Sequence, residues 1–536
     1  MKKLPVGIQS FKDIIVDNYV YVDKTQYVYS LISGVKYYFL SRPRRFGKSL
    51  LLDTIGEVFK GDKELFAGLW IHGSDYGFEK HPVIRLDMSN ISNATPEIFN
   101  MSIAAELRKR IAEEGLVISC EIPSDMFKSL IEGLYKKYNK RVVVLIDEYD
   151  KPILDHITDV EKAEANRAAL RGFYGVLKSM DPYLRLTFIT GVTKFAKTSI
   201  FSGLNNLSDI TLDEDYANIC GITIDDLDKY FGEHIKHLSI TKKTESNILR
   251  DEILKWYDGY SWDGEVKLIN PFSLLSFLTK KRLSGFWYST GSPNFLTDLI
   301  KEKPAAYTNL KNLIFSEEML DYVNIDRISV EPLLFQTGYL TVQEVITDSD
   351  GVSYRLRIPN FEVKRAFNIH VLSAMTENDD VDTGNARREM LEALLRGDLQ
   401  KTLDLLRGLF ASIPYELHVD VEAYYHSIFY AVMNVLGFDI DAEVSVSKGR
   451  IDAALELADK VYVMEFKYKG CPPGAGPEEK KKIFDDALDE GMAQIKGRGY
   501  HEKYAGSGKT VYLAAFAFLG RSDIEMSLET VLNEKV

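Results

Sequence analysis

The chain has 536 residues, too many for one hydrophobic core, and 45% of them are hydrophobic, so we expect two to four folded domains. Its formal net charge of −13 excludes a generally basic nucleic-acid binder and confines any such contact to a local basic patch. There is no long apolar run and no secretory leader pattern, so we expect a cytoplasmic protein without membrane contact. Three widely spaced cysteines predict ordinary thiols.

The first 224 residues alternate between strand-like and helix-like segments. The strand-like runs are KYYFLS, PVIRLDMS, RVVVLIDE and LRLTFITGV. Helix-length segments separate them, around residues 50–59, 96–114 and 161–180. This alternation predicts a parallel sheet covered by helices, the core of a nucleoside triphosphatase.

The first of these strands leads into the loop SRPRRFGKS, and an amphipathic helix follows. Strand, loop and helix in this order build a phosphate-binding loop (P-loop), because the helix N-terminus faces the phosphates. Lys48 is expected to reach the β- and γ-phosphates, and Ser49 to bind Mg²⁺. The predicted nucleotide-binding residues are Arg44, Arg45, Phe46, Gly47, Lys48, Ser49 and Leu50. Arg42 stands where the motif has its first glycine, which leaves open the alternative of a basic turn before a buried helix.

A similar phrase, the Gly-Lys-Thr of AGSGKT, occurs near the end of the chain. It precedes the strand-like run VYLAAFAF, so no helix N-terminus faces it. We therefore predict a glycine-rich turn there and not a phosphate site.

The run RVVVLIDE ends in the acidic pair Asp147 and Glu148, about a hundred residues after the loop. This is the Walker B arrangement, in which the aspartate holds Mg²⁺ and the glutamate polarises the attacking water. The next strand ends at residues 190–194, where a polar sensor of the γ-phosphate is expected. Together these motifs predict that ATP and Mg²⁺ are the cofactors of this domain.

The rest of the chain is expected to form further units. Residues 225–374 begin with helical sequence and continue with short strands, which predicts a helical, winged-helix-like middle domain, or lid. A helical linker is predicted over 375–415. The last block, 416–536, has the order of a helix (421–436), three strands, a helix (481–495) and a strand (511–518).

A charged hairpin is predicted within GRIDAALELADKVYVMEFKYKG. If Ala458 and Asp459 form the turn, Asp452 lies opposite Glu465, and Lys467 lies on the same face as both. Opposed carboxylates repel unless a cation lies between them, so a divalent metal is expected there, Mg²⁺ or alternatively Mn²⁺. The alternative, a solvated hairpin face with mutually neutralising charges, remains open at this point.

Glu-Phe-Lys with an aspartate on the adjacent strand, in this element order, resembles the PD-(D/E)XK nuclease superfamily. The whole chain, with VDKTQYVYSLI, SRPRRFGKSLLLDT, LIDEYDKPI, NPFSLL, LLFQTGYLT and IPNFEV, closely resembles the bacterial family that joins an AAA-ATPase-like domain to such a nuclease-like domain. The resemblance implies that Asp452 and Glu465 bind metal and that Lys467 is the catalytic lysine. It also implies that Glu422 matches the carboxylate that the family carries on the helix before the three strands. Gln494 then matches the polar residue on the helix after them. Ile451 replaces the proline of the motif.

These observations predict an α/β multidomain protein with a P-loop parallel sheet, a mixed helical middle region and a C-terminal αβββαβ domain like that of restriction endonucleases. The expected function is ATP binding and hydrolysis, coupled to a metal-dependent nuclease regulated by nucleotide state. The alternative is a nucleotide-dependent switch or binding module with an inactive nuclease-like domain. Nucleic acid is the expected partner, with DNA and RNA both open, and a homo-oligomer is one assembly the chain could form.

Overall fold

We describe the fold from a computed structural model. The described residues are 1–194, 200–201, 206–287, 313–321, 330–349, 351–376, 388–390, 392–411, 429, 440–446, 449–457, 459–472, 474–504, 508–520 and 523–531. They belong to two compact units, the first within Met1–Ser292 and Lys311–Val363 and the second within Lys364–Val536. The boundaries predicted at residues 224, 374 and 415 stay predictions.

The first unit contains a five-stranded parallel sheet with the order β2-β3-β4-β1-β5. Its strands are β1 (Tyr37–Ser41), β2 (Val83–Asp87), β3 (Val142–Asp147), β4 (Leu184–Gly191) and β5 (Ser208–Asp209). Every residue of β1 and of β3 is buried, as expected for parallel strands covered on both faces. The four strands predicted from apolar runs are present.

Helices surround this sheet. They are α1 (Phe11–Val16), α2 (Thr25–Ser33), α3 (Lys48–Lys60), α4 (Pro96–Glu113), α5 (Pro123–Tyr138), α6 (Lys151–Leu154), α7 (Val160–Tyr174) and α8 (Val176–Ser179). The segment predicted as one helix over 161–180 is two helices, which meet at Gly175. The sequence analysis did not predict α5, an amphipathic helix that buries Phe127, Leu130 and Leu134.

The middle part of the chain begins with three helices: α9 (Ile224–Lys242), α10 (Ser246–Tyr257) and α11 (Pro271–Lys280). Thr223 and Asp226 form a capping box at the start of α9. The described residues after this point include two short helices, α12 (Glu317–Asp321) and α13 (Val330–Thr337), and a three-stranded antiparallel sheet. Its strands are β6 (Leu313–Ser316), β7 (Thr341–Asp348) and β8 (Gly351–Arg357), in the order β6-β8-β7.

A long helix, α14 (Phe361–Thr376), begins in the first unit and continues in the second, where α15 (Leu399–Ala411) follows. The second unit contains a mixed sheet with the order β13-β12-β11-β10-β9. Its elements are β9 (Ile440–Val446), β10 (Gly449–Glu456), β11 (Lys460–Lys469), α16 (Pro477–Gly497), β12 (Thr510–Leu519) and β13 (Asp523–Val531). The predicted fold class is confirmed, with one correction: the sequence analysis missed β13, which pairs antiparallel with β12.

The predicted hairpin register is correct, because Ala453 pairs with Met464 and Leu455 with Tyr462. The C-terminal Gly-Lys-Thr phrase leads directly into β12, as expected. The helix predicted over 421–436 lies outside the described residues except for Phe429. Among the helices that the structure describes, none is long and apolar enough to cross a membrane.

One carboxylic acid is buried where α14 begins. Glu362 is 1% exposed; Oε2 accepts a hydrogen bond from Ser273 Oγ at 2.7 Å, and Oε1 accepts one from Trp287 N at 2.8 Å. Burial disfavours the charged form and raises the pKa of Glu362 to about 7. The folded protein therefore holds this proton more tightly than the unfolded chain does.

We predict that Glu362→Gln gains stability relative to wild type as the pH rises. The protonated acid stabilises the fold fully below its unfolded pKa of about 4.3, and this contribution is lost as pH rises through about 7. Between pH 5 and pH 8 the difference in unfolding free energy should shift by about 2–3 kcal/mol in favour of the variant. Urea unfolding followed by tryptophan fluorescence measures this in the first unit, which holds all four tryptophans.

Glu265→Gln is the control, because Glu265 is exposed in the same unit. Its stability difference from wild type should not change with pH. A Glu362→Gln difference that is equally independent of pH would show that the buried acid does not titrate in this range.

Candidate functional site

The predicted P-loop has strand, loop and helix in the expected places. Strand β1 ends at Ser41, and α3 begins at Lys48. Gly47 caps the helix with a φ of +93°, in the left-handed region that favours glycine. The unpaired N–H groups of the first turn make this helix end suited to an anion.

Arg42, the departure from the glycine motif, does not point into the loop. Its guanidinium is fully buried and lies 4.0 Å from the centre of the Trp262 ring. It donates hydrogen bonds to the carbonyl oxygens of Ser41, Thr211, Tyr216 and Ala217. Arg42 is thus a structural link between the loop and the surrounding chain, and its side chain is unavailable to a phosphate.

Lys48 is folded back on the loop. It is 5% exposed, and its Nζ donates to the carbonyl oxygens of Arg42 at 2.8 Å and Pro43 at 3.0 Å. Burial lowers the pKa of Lys48, while the negative charges of Glu148 and Asp147 oppose this change. The lysine therefore lies near the acidic pair that was predicted to work with it.

The acidic pair ends β3, beside the end of β4. Thr190 Oγ1 donates to Asp147 Oδ1 at 2.7 Å, so a residue of the predicted sensor segment contacts the predicted Walker B aspartate. Glu148 has a φ of +49°, which is strained for a glutamate. Burial raises the pKa of Glu148, and the positive charges of Lys48 and Arg44 oppose that rise.

Thr193 and Lys194 of the predicted sensor segment are held by two acids and an amide. Asp150 accepts hydrogen bonds from Thr193 Oγ1 and Thr193 N, both at 2.6 Å. Lys194 Nζ lies 3.0 Å from Asp209, and Lys194 N donates to Gln336 Oε1 at 2.8 Å. Sequence reasoning missed Asp150, although it belongs to the same acidic cluster, LIDEYD.

A cleft of about 330 Å³ lies over the loop. All seven predicted nucleotide-binding residues and Glu148 line it. Further lining residues were not predicted: Pro5, Gly7, Ile8, Gln9, Lys151, Pro271, Phe272 and Leu275. Four of the lining side chains are cationic, which suits a polyphosphate: Arg44, Arg45, Lys48 and Lys151.

An apolar cavity of about 100 Å³ adjoins this cleft and shares Phe46, Gly47 and Leu50 with it. Its other walls include Val20, Val22, Cys220, Ile222 and Phe231. Burial raises the pKa of the Cys220 thiol, which keeps it protonated. No local motif in the sequence marks these residues, because they come from distant parts of the chain.

The second unit brings together the predicted hairpin residues on its central strand, β11. Lys467 Nζ lies 3.3 Å from Glu465 Oε1 and 2.9 Å from Gln494 Oε1. Gln494 Nε2 donates to Glu465 Oε1, and Asp452 Oδ2 accepts from Phe466 N at 2.9 Å. Gln494 lies on α16; a Cβ added at Gly491 would lie only 3.1 Å from Ala515 Cβ, so that glycine lets α16 approach the sheet closely.

These side chains are not a solvated face. Glu465 is 0% exposed and Lys467 is 9% exposed, so the alternative of a solvated hairpin is wrong for them. Burial, together with the charge of Asp452, raises the pKa of Glu465 to about 7. The other face of β11 packs Phe466 against Phe429 and Phe516.

Glu465 and Asp452 fit a divalent cation. Within the described part of the chain, the buried Glu465 Oε2 has no hydrogen-bond partner, and a second carboxylate lies next to it. A hard cation with oxygen ligands would satisfy both. Glu422, the predicted third carboxylate, lies outside the described residues, which contain no cluster of three or more His, Cys, Asp or Glu side chains suited to a metal.

The fold and the two sites define a P-loop ATPase-like protein with a nuclease-like C-terminal domain. Residues 5–201 match the family model described as Predicted AAA-ATPase, and residues 420–527 match the PD-(D/E)XK nuclease superfamily. The chain belongs to the family that joins these two domains. It is 37% identical over 525 residues to the "Uncharacterized protein in vnfD 5'region" of Azotobacter chroococcum mcd 1, with 96% of each chain covered.

We predict that Arg42→Ala and Arg42→Gly both destabilise the first unit, by about 2–4 kcal/mol, because buried carbonyl groups lose their donor. Restoring the glycine of the usual motif should therefore not increase the stability of the first unit. Arg44→Ala is the control, since Arg44 is only half-buried at the cleft. Urea unfolding followed by tryptophan fluorescence measures the difference. An Arg42→Gly protein as stable as wild type would contradict the structural role.

Proposed function

We propose that the protein binds and hydrolyses ATP in the N-terminal cleft and that its C-terminal domain is a metal-dependent nuclease whose activity depends on nucleotide state. The observation that carries this proposal is that each unit buries a lysine beside acidic side chains. Lys48 lies near Asp147 and Glu148, and Lys467 contacts Glu465. Burial of such charges is costly, and clusters of buried titratable groups with shifted pKa values are typical of functional sites.

In the N-terminal cleft, the first turn of α3 and Lys48 would bind the phosphates of ATP. Ser49 and Asp147 would hold Mg²⁺, which supplies charge neutralisation when bound. Glu148 would orient the attacking water, and Thr190 fixes the carboxylate of Asp147. The apolar cavity beside Gly47 is a suitable size and polarity for part of the base.

In the C-terminal domain, Asp452 and Glu465 would hold Mg²⁺ or Mn²⁺, which supplies Lewis-acid polarisation of a phosphodiester when bound. Lys467 would stabilise negative charge at the scissile phosphate. Gln494 forms hydrogen bonds with both Lys467 and Glu465, so it would hold the lysine in place. Glu422 is proposed as a further carboxylate on the strength of the family resemblance alone.

The alternative, a nucleotide-dependent switch with an inactive nuclease-like domain, rested on Arg42 in place of glycine. Because the side chain of Arg42 has a role in the protein interior, its presence does not argue for a degenerate loop. The alternative is therefore retained only as an outcome of the tests below.

Lys48→Ala should raise the Kd for ATP by about 100-fold or more, because the main cation of the loop is lost. Glu148→Gln should still bind ATP but hydrolyse it about 100-fold more slowly, because water is no longer activated. Calorimetric titration measures binding, and phosphate release measures turnover. The matched control is Lys509→Ala in the C-terminal Gly-Lys-Thr phrase, whose lysine pairs with Glu456. Equal loss in both lysine variants would argue against the P-loop assignment.

Nuclease activity should be tested on single- and double-stranded DNA and RNA, with Mg²⁺ or Mn²⁺ and with or without ATP. Asp452→Ala, Glu465→Ala and Lys467→Ala should each cut at least about 100-fold more slowly. Lys469→Ala is the control on the same strand, because Lys469 is an exposed lysine paired with Glu490. Cutting that survives in the Asp452→Ala, Glu465→Ala double variant would refute the assignment, and ATP binding without any cutting would favour the switch.

A further inference from the structure

The start of α14 is fixed to the first unit. Asn360 Oδ1 accepts a hydrogen bond from Val363 N at 3.0 Å and so caps the helix. Gly259, with a φ of +121°, packs so tightly here that an added Cβ would lie 2.2 Å from Pro359 O. From Lys364 onward the same helix belongs to the second unit. A change in the direction of this helix start would therefore act on the chain that enters the second unit.

One route of contacts runs from the cleft to this helix through α11. Phe272 and Leu275, in the first turns of α11, line the cleft, and the guanidinium of Arg45 lies 4.8 Å from the centre of the Phe272 ring. Ser273, the next residue, is fully buried and donates to Glu362 Oε2 at 2.7 Å. A displacement of Phe272 would therefore also move Ser273 and disturb its hydrogen bond to Glu362.

A second route starts from the loop itself. A Cβ added at Gly338 would lie 2.7 Å from Pro43 and 3.6 Å from Trp287, so the backbone there is packed between both residues. Trp287 also packs edge-on against Tyr339, with 5.0 Å between ring centroids. Its backbone N–H donates to Glu362 Oε1 at 2.8 Å. Both routes therefore end on the two oxygens of one carboxyl group.

We propose that Glu362 is a positioning residue that transmits the nucleotide state of the cleft to α14, and through it to the second unit. This inference rests on the proposed binding of ATP in the cleft. The two hydrogen bonds hold the carboxyl group in one orientation only while α11 and Trp287 keep their relative positions. A ligand that shifts Phe272 or Pro43 must break one bond or move the start of α14, since a buried oxygen left unpaired is costly. The two arrangements then differ in affinity for the ligand, which is the requirement for coupling.

The test is hydrogen–deuterium exchange of residues 361–376 in the full-length protein, with and without Mg²⁺-ATP. In wild type, ATP should change the exchange rate of this helix by about fivefold or more. Ser273→Ala should keep the Kd for ATP within about threefold of wild type, because Ser273 does not line the cleft, but lose most of the exchange response. Ser273→Thr, which keeps a hydroxyl group, should restore it.

Two further variants keep the test decisive. Glu362→Gln retains an acceptor for Trp287 N and should lose only part of the response, which covers the case in which Ser273→Ala does not fold. Ser276→Ala, another buried serine of α11, is the matched control and should respond like wild type. A response that is unchanged in Ser273→Ala, or absent in a wild type that binds ATP, would overturn this inference alone. Failure of wild type to bind ATP would overturn the proposed function of the cleft, and the inference with it.

Discussion

The geometry of the N-terminal cleft depends on the burial of one guanidinium group. Arg42 crosses from the P-loop to the carbonyl groups that follow β5 and to the ring of Trp262. Lys48 in turn donates to the carbonyl oxygens of Arg42 and Pro43, so its position depends on the loop that Arg42 holds. Where the usual motif has its first glycine, backbone freedom helps to set the loop's shape, whereas here the side chain of Arg42 reaches distant carbonyl groups and holds the loop.

The two candidate sites share one electrostatic feature, a carboxylate shielded from water with a lysine nearby. Glu148 directly follows the inner strand β3 and is half-buried, and Glu465 lies within the central strand β11 and is fully buried; a lysine near each offsets part of the cost of burial. The offset is incomplete, because the pKa of Glu148 and that of Glu465 are both raised. Sites with residual negative charge and a buried, unpaired oxygen such as Glu465 Oε2 are suited to cations.

Sequence reasoning was strongest where the pattern is local. The apolar runs of β1 and β3 and the alternation along β10 and β11 are set by neighbouring residues, and the hairpin register follows once the turn is chosen. The missed strand β13, DIEMSLETV, carries charges along an exposed edge and lacks a clear apolar run. The roles of Arg42, Asp150 and Glu362 could not be predicted, because each depends on partners far away in the chain, such as Thr211 and Ser273.

Glu362 also bears on how stability and regulation are related in this protein. At neutral pH its carboxyl group is near its pKa, so the acid contributes less stability than it does at low pH. A neutral side chain such as glutamine could accept from Trp287 N and would avoid this loss. Stability alone therefore does not account for an acid at the start of α14. Two strong acceptor oxygens account for it better: one is held by α11, which lines the cleft, and the other by Trp287, which packs near the P-loop through Gly338, so a ligand that shifts either neighbour disturbs a hydrogen bond that is costly to break.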